Sequence, residues 1–567
     1  MADLGIQSAM QQTNDATKLW WQTGVIYQVY PRSFQDTNGD GVGDLAGILS
    51  RLDAQVELGV DAVWVSPFYP SPMADFGYDV ANYTDVDQLF GTLEDFDRLL
   101  AGVHARGLRL ILDFVPNHTS DQHPWFLDSR SSRTSAKRDW YLWRDPARDG
   151  GPPNNWPSHF GGAGWTLDEA TGQYYFHSFL PEQPDLNWRN PAVREAMYAA
   201  MRFWLERGAA GRGVDGFRMD VLWLLIKDDQ FRSNPPNPDF HRGPDDPAMW
   251  TLLPQYTADQ PETHEIVREM RALMDSYSGV YPRVLIGEIY LPVAELVRYY
   301  GQPSSAEVPH LATDVPYLLG AQMPFNFHLI QTAWQAEVIA KLIVRYEASL
   351  PAGAWPNWVM GNHDQKRLAS RIGPAQARVA AVLLLTLRGT PTLYYGDELG
   401  MPDAHIAPDQ VRDPAEKNQP GIGQGRDPER SPMLWDGSAN AGFCPDGVAP
   451  WLPLSDDWQA LNVAAQAADP ISMLALYRQL LALRRQYAAL HSGSVSEVAA
   501  DRGVLQYLRS DGATRMQVHL NLTDEAHTVS ALPGTIVAAS GLDCLGERRE
   551  GNLWVAANSA VVVLLDD

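Results

Sequence analysis

Short apolar runs alternate with longer amphipathic stretches from about residue 20 onward, and this alternation constrains the fold more than any other feature of the sequence. Runs rich in Val, Ile, Leu and aromatic residues predict buried strands, and the stretches between them have the apolar spacing of helices. Strands that alternate with helices form parallel sheets. The predicted strands are 24–30, 62–66, 109–114, 216–219, 284–288, 358–360 and 392–395; the predicted helices are 45–57, 92–106, 193–206, 261–276, 330–347, 375–387 and 471–487.

Several of the predicted strands end directly in polar residues, in the sequences DFVPNH (113–118), RMD (218–220), GE (287–288) and GNHD (361–364). An eight-stranded α/β barrel carries its chemistry at the C-terminal ends of its strands. We therefore predict an α/β protein built on a (β/α)8 TIM barrel.

Two regions depart from the strand–helix rhythm. Residues 119–187 contain few long helical patterns and many Trp, Gly, Pro and Ser, which indicates a loop-rich subdomain inserted after the third strand. From residue 491 onward, short alternating runs favour a small antiparallel β domain. The predicted organisation is an N-terminal tail (1–19), the barrel (20–118 and 188–490), the inserted subdomain (119–187) and the C-terminal β domain (491–567).

The composition excludes several classes of protein. The chain has 44 basic and 69 acidic side chains and a formal net charge of −25, which argues against a nucleic-acid binder driven by bulk electrostatics. Its two cysteines cannot form a disulfide framework. No segment approaches the ~18 apolar residues of a membrane span, and the N-terminus lacks the pattern of a secretory signal. We expect a soluble cytoplasmic protein that contacts neither nucleic acid nor membrane.

The sequence DTNGDGVGD (36–44) is typical of a loop that wraps a hard cation. Oxygen side chains alternate along it, a glycine permits a sharp turn, and a backbone carbonyl can add a further ligand. A polar turn that caps the following helix is the alternative. We expect one structural Ca²⁺, with Mg²⁺ as the other candidate ion and with no organic cofactor. The candidate ligands are Asp36, Asn38, Asp40, Val42 and Asp44.

Three carboxylates lie at three different strand ends: Asp220, Glu288 and Asp364. Cleavage of a glycosidic bond needs one carboxylate as nucleophile or base and one carboxylic acid that protonates the leaving oxygen. Arg218 lies two residues before Asp220, on the same side of the strand, and is expected to lower the pKa of Asp220. The apolar neighbours of Glu288 are expected to raise its pKa. His118 and His363 are candidates to bind sugar hydroxyls.

These motifs, in this order, resemble those of the α-amylase superfamily of retaining glycosidases, in particular its α-glucosidase and oligo-1,6-glucosidase branch. The resemblance covers about residues 20–567. It includes the sequences DTNGDGVGD, GVDAVWVSPFYPSP, DFGYDVANY, DFVPNH, QPDLNW, GFRMDV, GEIY, GNHD and GTPTLYYGDELGM. It implies the same barrel, inserted subdomain and C-terminal β domain as the alternation of strands and helices.

The resemblance also implies a role for each polar residue. Asp220 matches the nucleophile, Glu288 the general acid/base, and Asp364 the residue that holds the hydroxyls of the −1 sugar. Arg426 is matched to the residue that pairs with Asp75 and closes the pocket, with Arg430 as its rival. The remaining residues implied to bind substrate are Tyr78, His118, Phe179, Arg218, Val221 and His363.

The implied activity is that of an exo-acting α-glucosidase that releases terminal α-glucose from short maltose-type or isomaltose-type oligosaccharides. Transfer of glucose to another hydroxyl is its side or main activity, and Val221 resembles the residue associated with acceptance of α-1,6 links. Two alternatives remain open: an isomerase type that rearranges sucrose or maltose, and a catalytically inactive amylase-like interaction protein. The intact carboxylates and the lack of a membrane span argue against the second.

Overall fold

The computed structural model describes residues 18–240, 248–304, 316–541 and 544–566. Most of the predicted N-terminal tail, residues 1–17, lies outside the described residues. Among the helices that are described, none is long and apolar enough to cross a membrane.

Eight parallel strands form one sheet that curves almost to closure, which confirms the predicted barrel. The hydrogen-bonded order is β10-β11-β1-β2-β3-β7-β8-β9. The barrel strands are β1 (Ile26–Val29), β2 (Ala62–Val65), β3 (Arg109–Phe114), β7 (Gly216–Met219), β8 (Val284–Gly287), β9 (Met323–Pro324), β10 (Asn357–Val359) and β11 (Thr390–Tyr394).

The barrel strands are buried on both faces because helices surround the sheet. Along β2, Ala62 and Trp64 point into the barrel interior, and Val63 and Val65 pack in the layer between strands and helices. This explains why these strands appear in the sequence as continuous apolar runs rather than as alternating ones.

Asn357 links β9 to β10, the two end strands of the hydrogen-bonded order. Its side-chain Oδ1 accepts a hydrogen bond of 2.9 Å from the N–H of Asn326, and its Nδ2 donates one of 2.6 Å to the carbonyl of Pro324. The side chain has no solvent exposure. The buried side-chain amide of Asn357 thus connects β9 and β10, the two strands between which the barrel closes.

The helices agree closely with the predicted ones, apart from a break in the predicted helix 330–347, where one short helix ends and a longer one begins. α3 begins with a capping box, in which Thr92 accepts from the N–H of Asp95 and Asp95 accepts from that of Thr92. The helices are α1 (Trp20–Thr23), α2 (Leu45–Leu58), α3 (Leu93–Ala105), α4 (Pro124–Ser131), α5 (Pro191–Glu206), α6 (Thr263–Ser276), α7 (Val293–Leu296), α8 (His328–Gln331), α9 (Ala336–Ser349), α10 (Leu368–Ile372), α11 (Pro374–Thr386), α12 (Pro414–Asn418), α13 (Val463–Ala467), α14 (Met473–Gln486) and α15 (Ala488–His491).

Two further groups of strands lie outside the barrel. A three-stranded antiparallel sheet, β4-β6-β5, lies in the chain between β3 and β7, and antiparallel sheets follow α15. The strands of the three-stranded sheet are β4 (Trp143–Arg144), β5 (Trp165–Asp168) and β6 (Gln173–Phe176). The later strands are β12 (Ser494–Asp501), β13 (Val504–Ser510), β14 (Arg515–Asn521), β15 (His527–Ser530), β16 (Gly534–Ala539), β17 (Arg548–Arg549), β18 (Asn552–Val555) and β19 (Ala560–Leu565).

Replacement of Asn357 by leucine should destabilise the protein. Asn357→Leu keeps a similar volume but leaves the N–H of Asn326 and the carbonyl of Pro324 buried without these partners. Each unsatisfied group costs about 1 to 3 kcal/mol, so we expect the free energy of unfolding to fall by about 2 to 6 kcal/mol. The midpoint of urea denaturation measures this loss.

The matched control is Asn552→Leu, because Asn552 lies exposed on β18. A surface change of this kind alters stability by less than about 0.5 kcal/mol. Equal denaturation midpoints for the two variants would show that the Asn357 amide does not stabilise the barrel.

Candidate active site

Asp220 and Glu288 lie at the C-terminal ends of the adjacent strands β7 and β8. Arg218 binds both: its Nη1 donates to Oδ1 of Asp220 at 2.8 Å, and its Nη2 donates to Oε2 of Glu288 at 2.7 Å. Both carboxyl groups also line the same cavity. Two residues that are 68 positions apart in the sequence therefore face a single small space.

The guanidinium of Arg218 holds a third carboxylate, Asp113 of β3, through a bond of 2.8 Å from Nη1 to Oδ1. Arg218 and Asp113 have essentially no exposure, so these charges are buried together. Burial alone would lower the pKa of Arg218, but the carboxylates around it raise the pKa well above its usual value. Arg218 is therefore a permanent cation.

Burial raises the pKa of Asp220, the charge of Glu288 raises it further, and Arg218 offsets only part of this. The expectation that Arg218 lowers the pKa of Asp220 below its usual value is therefore wrong in its net direction. Burial also raises the pKa of Glu288, as the apolar neighbours in the sequence predicted. Two carboxyl groups that interact in this way titrate as a pair.

Val221 follows Asp220 and has left-handed backbone angles, φ 37° and ψ 44°. A β-branched residue pays an energetic cost for this conformation. The conformation directs the N–H of Val221 to Oε2 of Glu288 at 2.9 Å. Oε2 of Glu288 is thus fixed by two donors, and the orientation of the carboxyl group is set.

Asp364 lies beyond β10 and is bound by two arginines. Its Oδ1 accepts from Nη2 of Arg430 at 2.9 Å and from Nη1 of Arg426 at 3.3 Å. Although burial alone would raise its pKa, the guanidinium groups of Arg426 and Arg430 hold the pKa of Asp364 well below its usual range. Asp364 is therefore ionised and acts as an acceptor.

The sequence left Arg426 and Arg430 as rivals, and the structure gives them different positions. Arg426 lies on the cavity wall and donates to Asp75 at 2.6 Å and to Asp413 at 2.6 Å. Arg430 is fully buried behind the wall, where its Nε donates to the carbonyl of His363 at 2.8 Å. Arg426 thus pairs with Asp75 on the cavity wall, and Arg430 binds Asp364 from a buried position.

A chain of hydrogen bonds sets the protonation of His363. Nε2 of Gln28 lies 2.8 Å from Nδ1 of His363, and Nε2 of His363 lies 2.5 Å from the hydroxyl of Tyr78. Tyr78 donates in turn to Asp113 at 3.0 Å. This pattern assigns the proton of His363 to Nε2. Burial lowers the pKa of His363 well below its usual value, so the ring is neutral.

His118 packs against the ring of Phe179 at a centroid distance of 5.3 Å. Burial lowers the pKa of His118 to about 4, so it is also neutral near pH 7. The sequence left the charge of both histidines open, and burial in the structure favours the neutral form of each. Nε2 of His118 lies 3.1 Å from Nε2 of Gln183 and 3.2 Å from the carbonyl of Tyr78.

A cavity of about 600 Å³ connects these groups. Arg218 and His363 lie beneath its wall with no exposure of their own. The other predicted site residues line the cavity itself: Asp75, Tyr78, His118, Phe179, Asp220, Val221, Glu288, Asp364 and Arg426.

Sequence reasoning did not assign roles to several residues that hold this site. Asp113 and Gln183 stand inside the quoted motifs DFVPNH and QPDLNW, so a signal for them was present. No motif in the sequence indicated a role for Gln28 or Asp413, because a β-strand glutamine and a loop aspartate resemble ordinary structural residues. Their positions beside His363 and Arg426 come from the tertiary structure alone.

The loop 36–44 holds its oxygen side chains in local turns. Oδ1 of Asp36 accepts from the N–H of Asn38 at 3.0 Å, and Oδ1 of Asn38 accepts from that of Asp40 at 3.0 Å. Asp44 caps α2 by accepting from Gly47 at 2.6 Å, as the alternative interpretation of the loop predicted for this residue. In the described part of the chain, no group of three or more His, Cys, Asp or Glu side chains converges to hold a metal.

Some features of the loop still fit a hard cation. Asp36 is only 3% exposed, and no cationic side chain among the described residues lies within ion-pair distance of it. Amide and backbone carbonyl oxygens, such as those of Asn38 and Val42, are ligands that Ca²⁺ accepts besides carboxylates.

A match to a protein-family model, "Alpha amylase, catalytic domain", covers residues 28–493. A probable alpha-glucosidase of Rhizobium meliloti is 41% identical over 519 residues, which is 90% of each chain. The crystal structure of an alpha-glucosyl transfer enzyme has a TM-score of 0.87 and 38% identity, and the match covers 96% of this chain and 99% of that one. A trehalulose synthase variant has a TM-score of 0.84 and 32% identity over 97% of this chain and 100% of that one.

Removal of the buried cation Lys227 should destabilise the wall behind His118. Lys227 pairs with Asp185, which is fully buried and whose pKa it holds down against the effect of burial. Lys227→Met leaves the Asp185 carboxylate unpaired, and we expect a loss of about 3 to 5 kcal/mol in the free energy of unfolding. Urea denaturation measures this loss.

The double variant Lys227→Met/Asp185→Asn provides the control. Because it also removes the stranded charge, we expect it to recover a large part of the loss. If the double variant is instead less stable than Lys227→Met alone, the ion-pair explanation is wrong.

Proposed function

The chain belongs to the alpha-amylase family of glycoside hydrolases, and we propose that it is an exo-acting, retaining α-glucosidase that acts on short oligosaccharides. One observation carries the proposal. A single buried guanidinium, that of Arg218, binds Asp220 and Glu288 at the inner end of a cavity that an ion pair closes.

The spacing of the two carboxyl groups supports a mechanism with retention of configuration. Two carboxyl groups that are bound to the two nitrogens of one guanidinium are close together. Retaining glycosidases hold their two carboxyl groups about 5 to 5.5 Å apart, whereas inverting enzymes leave room between them for a water molecule. The arrangement of Asp220 and Glu288 favours the first class.

The proposed first step starts from protonated Glu288. Asp220 attacks the anomeric carbon as a carboxylate while Glu288 donates the proton to the departing oxygen, which yields a β-glucosyl ester of Asp220. Arg218 remains a cation throughout and compensates the charge of Asp220 before the attack. The fixed Oε2 of Glu288, held by Arg218 and Val221, directs the other oxygen of this carboxyl group toward the bond that breaks.

In the second step Glu288 accepts a proton from water, and the water oxygen attacks the anomeric carbon as the bond to Asp220 breaks. The product is α-glucose, and the pair returns to its starting protonation. An alcohol that replaces water gives a new α-glucoside by the same route. Transglucosylation is therefore part of the proposal, and the similarity to an alpha-glucosyl transfer enzyme supports it.

The closed end of the cavity supports removal of one terminal glucose. Arg426 joins Asp75 and Asp364 across this end, and Asp413 holds its Nε from behind. A chain that continued beyond the first glucose would meet this ion pair. The ionised Asp364 lines the cavity and offers an acceptor to the hydroxyls of that glucose.

The preferred linkage rests on Val221, which lines the cavity next to the nucleophile. We propose that isomaltose-type as well as maltose-type glucosides are substrates. Since a methyl-for-hydroxyl difference contributes only about 1 to 3 kcal/mol, the preference for one linkage is expected to be modest.

Rearrangement of sucrose or maltose is a second candidate, because a trehalulose synthase variant shares the fold over nearly the whole chain. Isomerisation would use the same glucosyl ester, and only the fate of the released sugar would differ. The interaction-protein alternative has less support, since the catalytic carboxylates are present and assembled. A cytoplasmic location remains part of the proposal.

We also propose that the loop 36–44 binds one Ca²⁺, held by Asp36, Asn38, Asp40, the Val42 carbonyl and Asp44, with Mg²⁺ as the alternative ion. The buried Asp36 carboxylate without a cationic partner supports this assignment. The ion would stabilise the turn before α2 and take no part in the reaction.

Substitution of either catalytic carboxylate should abolish turnover. Asp220→Asn removes the nucleophile, and Glu288→Gln removes the proton donor, whose contribution is typically 10² to 10⁴-fold. We expect kcat/KM on maltose to fall by at least about 10³-fold in each variant. Proton NMR of early wild-type turnover on maltose, isomaltose and sucrose measures rate and product. The anomeric form is measured on sucrose, whose leaving group is fructose, and the glucose released from it should first appear as the α anomer.

Asp229→Asn and Glu265→Gln are matched controls, because both residues are exposed. They should keep wild-type rates. Full activity in Asp220→Asn or Glu288→Gln, or initial release of β-glucose, would refute the mechanism. A sucrose-derived disaccharide as the main product would favour the isomerase.

Removal of bound calcium should lower thermal stability without a direct effect on the chemistry. An ion present at 100 times its Kd stabilises the folded state by about 2.7 kcal/mol. We expect about one Ca²⁺ per chain by elemental analysis, a lower Tm after chelation, and recovery of the Tm when Ca²⁺ is added back. Asp36→Asn should weaken this response.

Asp511→Asn is the control for calcium, since Asp511 accepts N–H groups in an exposed turn of similar local geometry. This variant should respond to chelation as the wild type does. Absence of bound metal from the purified wild type, together with a Tm that calcium does not change, would refute the assignment.

A further inference from the structure

A second cavity, of about 590 Å³, lies within the long segment that follows β11. Its described wall consists of residues 409–412, Lys417, Asn440 and residues 449–454. None of these residues lines the catalytic cavity. The second cavity is therefore a separate space, and a ligand can occupy it whether or not the catalytic cavity is active.

Hydrogen bonds hold both parts of this wall in place. The N–H of Arg412 donates to Oδ2 of Asp427 at 2.6 Å. The N–H of Trp451 donates to the carbonyl of Gly41 at 2.9 Å, and its Nε1 donates to the hydroxyl of Ser33 at 3.0 Å. The cavity is thus a built part of the fold, and its volume is in the range of small-molecule sites, about 300 to 1,000 Å³.

Arg412 and Lys417 give the wall two cations. Both side chains are exposed, and neither has a hydrogen-bond or ion-pair partner within the described parts of the chain. Asp409 is the one acidic residue of the described wall, so the wall has an excess of positive charge. In a chain with a formal net charge of −25, this excess favours a negatively charged ligand.

A third cation, Arg32, packs behind this wall. Arg32 is 9% exposed, and its guanidinium lies 4.9 Å from the ring centroid of Trp451. Its Nε has no hydrogen-bond partner, and no carboxylate among the described residues lies within ion-pair distance of it. Burial lowers the pKa of Arg32, and the charge of Arg412 lowers it further, although Asp87 offsets part of this. An anion in the second cavity would offset the repulsion between the two guanidinium groups.

The rest of the wall indicates what else the ligand carries. Most of its other residues are apolar: Val411, Ala449, Pro450, Trp451, Leu452, Pro453 and Leu454. A wall of this kind binds an uncharged, apolar body. A phosphate monoester carries a charge of about −1.5 to −2 near pH 7, which matches two cations better than the single charge of a carboxylate does. A guanidinium also binds phosphate oxygens through two parallel hydrogen bonds.

We propose that the second cavity binds a small organic phosphate. The phosphate group pairs with Arg412 and Lys417, and the apolar body of the ligand packs against residues 450–454. Binding is non-covalent and needs no co-reactant.

Isothermal titration calorimetry at a fixed ionic strength of about 0.1 M tests this proposal with three probes: phenyl phosphate, benzoate and inorganic phosphate. Phenyl phosphate should bind with a Kd about tenfold below that of either other probe, because only it offers both a dianion and an apolar body. In the double variant Arg412→Gln/Lys417→Gln, the Kd for phenyl phosphate should rise at least about tenfold. Since both side chains are exposed, the variant should fold as the wild type does.

Lys341→Gln/Arg345→Gln is the matched control. It makes the same change of charge on two exposed residues of α9, and neither lines the cavity. This variant should bind phenyl phosphate as the wild type does. A wild type that does not bind phenyl phosphate, or an unchanged Kd in Arg412→Gln/Lys417→Gln, would overturn the proposal.

The other two probes test the chemical class of the ligand. Benzoate that binds as tightly as phenyl phosphate would refute the preference for phosphate, and inorganic phosphate that binds as tightly would refute the role of the apolar wall. Thermal denaturation gives a second readout, because a ligand of the folded state raises its stability. Phenyl phosphate at 100 times its Kd should raise the Tm of the wild type and of the control, but at the same concentration it should raise that of Arg412→Gln/Lys417→Gln much less. Equal increases in all three proteins would contradict binding at Arg412 and Lys417.

Discussion

The guanidinium of Arg218 is the constraint on which the rest of the site depends. It lies among Asp113, Asp220 and Glu288 with no exposure, and three carboxylates without this cation could not all be buried together. Isolated buried charges cost several kcal/mol each, and a well-placed partner offsets much of that cost. The single positive charge does not neutralise all three, and burial raises the pKa of both Asp220 and Glu288. A raised pKa is what the proton donor of a glycosidase requires.

The charges around Asp364 have the opposite effect on a carboxyl group. Asp364 meets two arginines that hold its pKa low, and therefore stays ionised, whereas burial raises the pKa of Asp220 and Glu288. Carboxyl groups of the same chemistry thus differ in pKa because their surroundings differ in charge.

The fold was largely predictable because buried parallel strands leave continuous apolar runs in the sequence. The strand β9 was not predicted, since it spans only Met323–Pro324 and is held by the side chain of Asn357 rather than by a long ladder. The break between α8 and α9 also escaped the pattern, because apolar residues continue at helical spacing across it. Both failures have the same cause: short elements depend on contacts that no local pattern contains.

The sequence by itself determined the order of most strands and helices and the three carboxylates, because apolar periodicity and strand-end motifs are local properties of the chain. Tertiary structure alone decided the direction in which the pKa of Asp220 shifts and the different positions of Arg426 and Arg430. It also decided the position of Gln28 beside His363 and of Trp223 and Trp250 on the wall of one cavity. Each of these depends on burial and on distances between residues far apart in sequence, and both quantities exist only once the chain has folded.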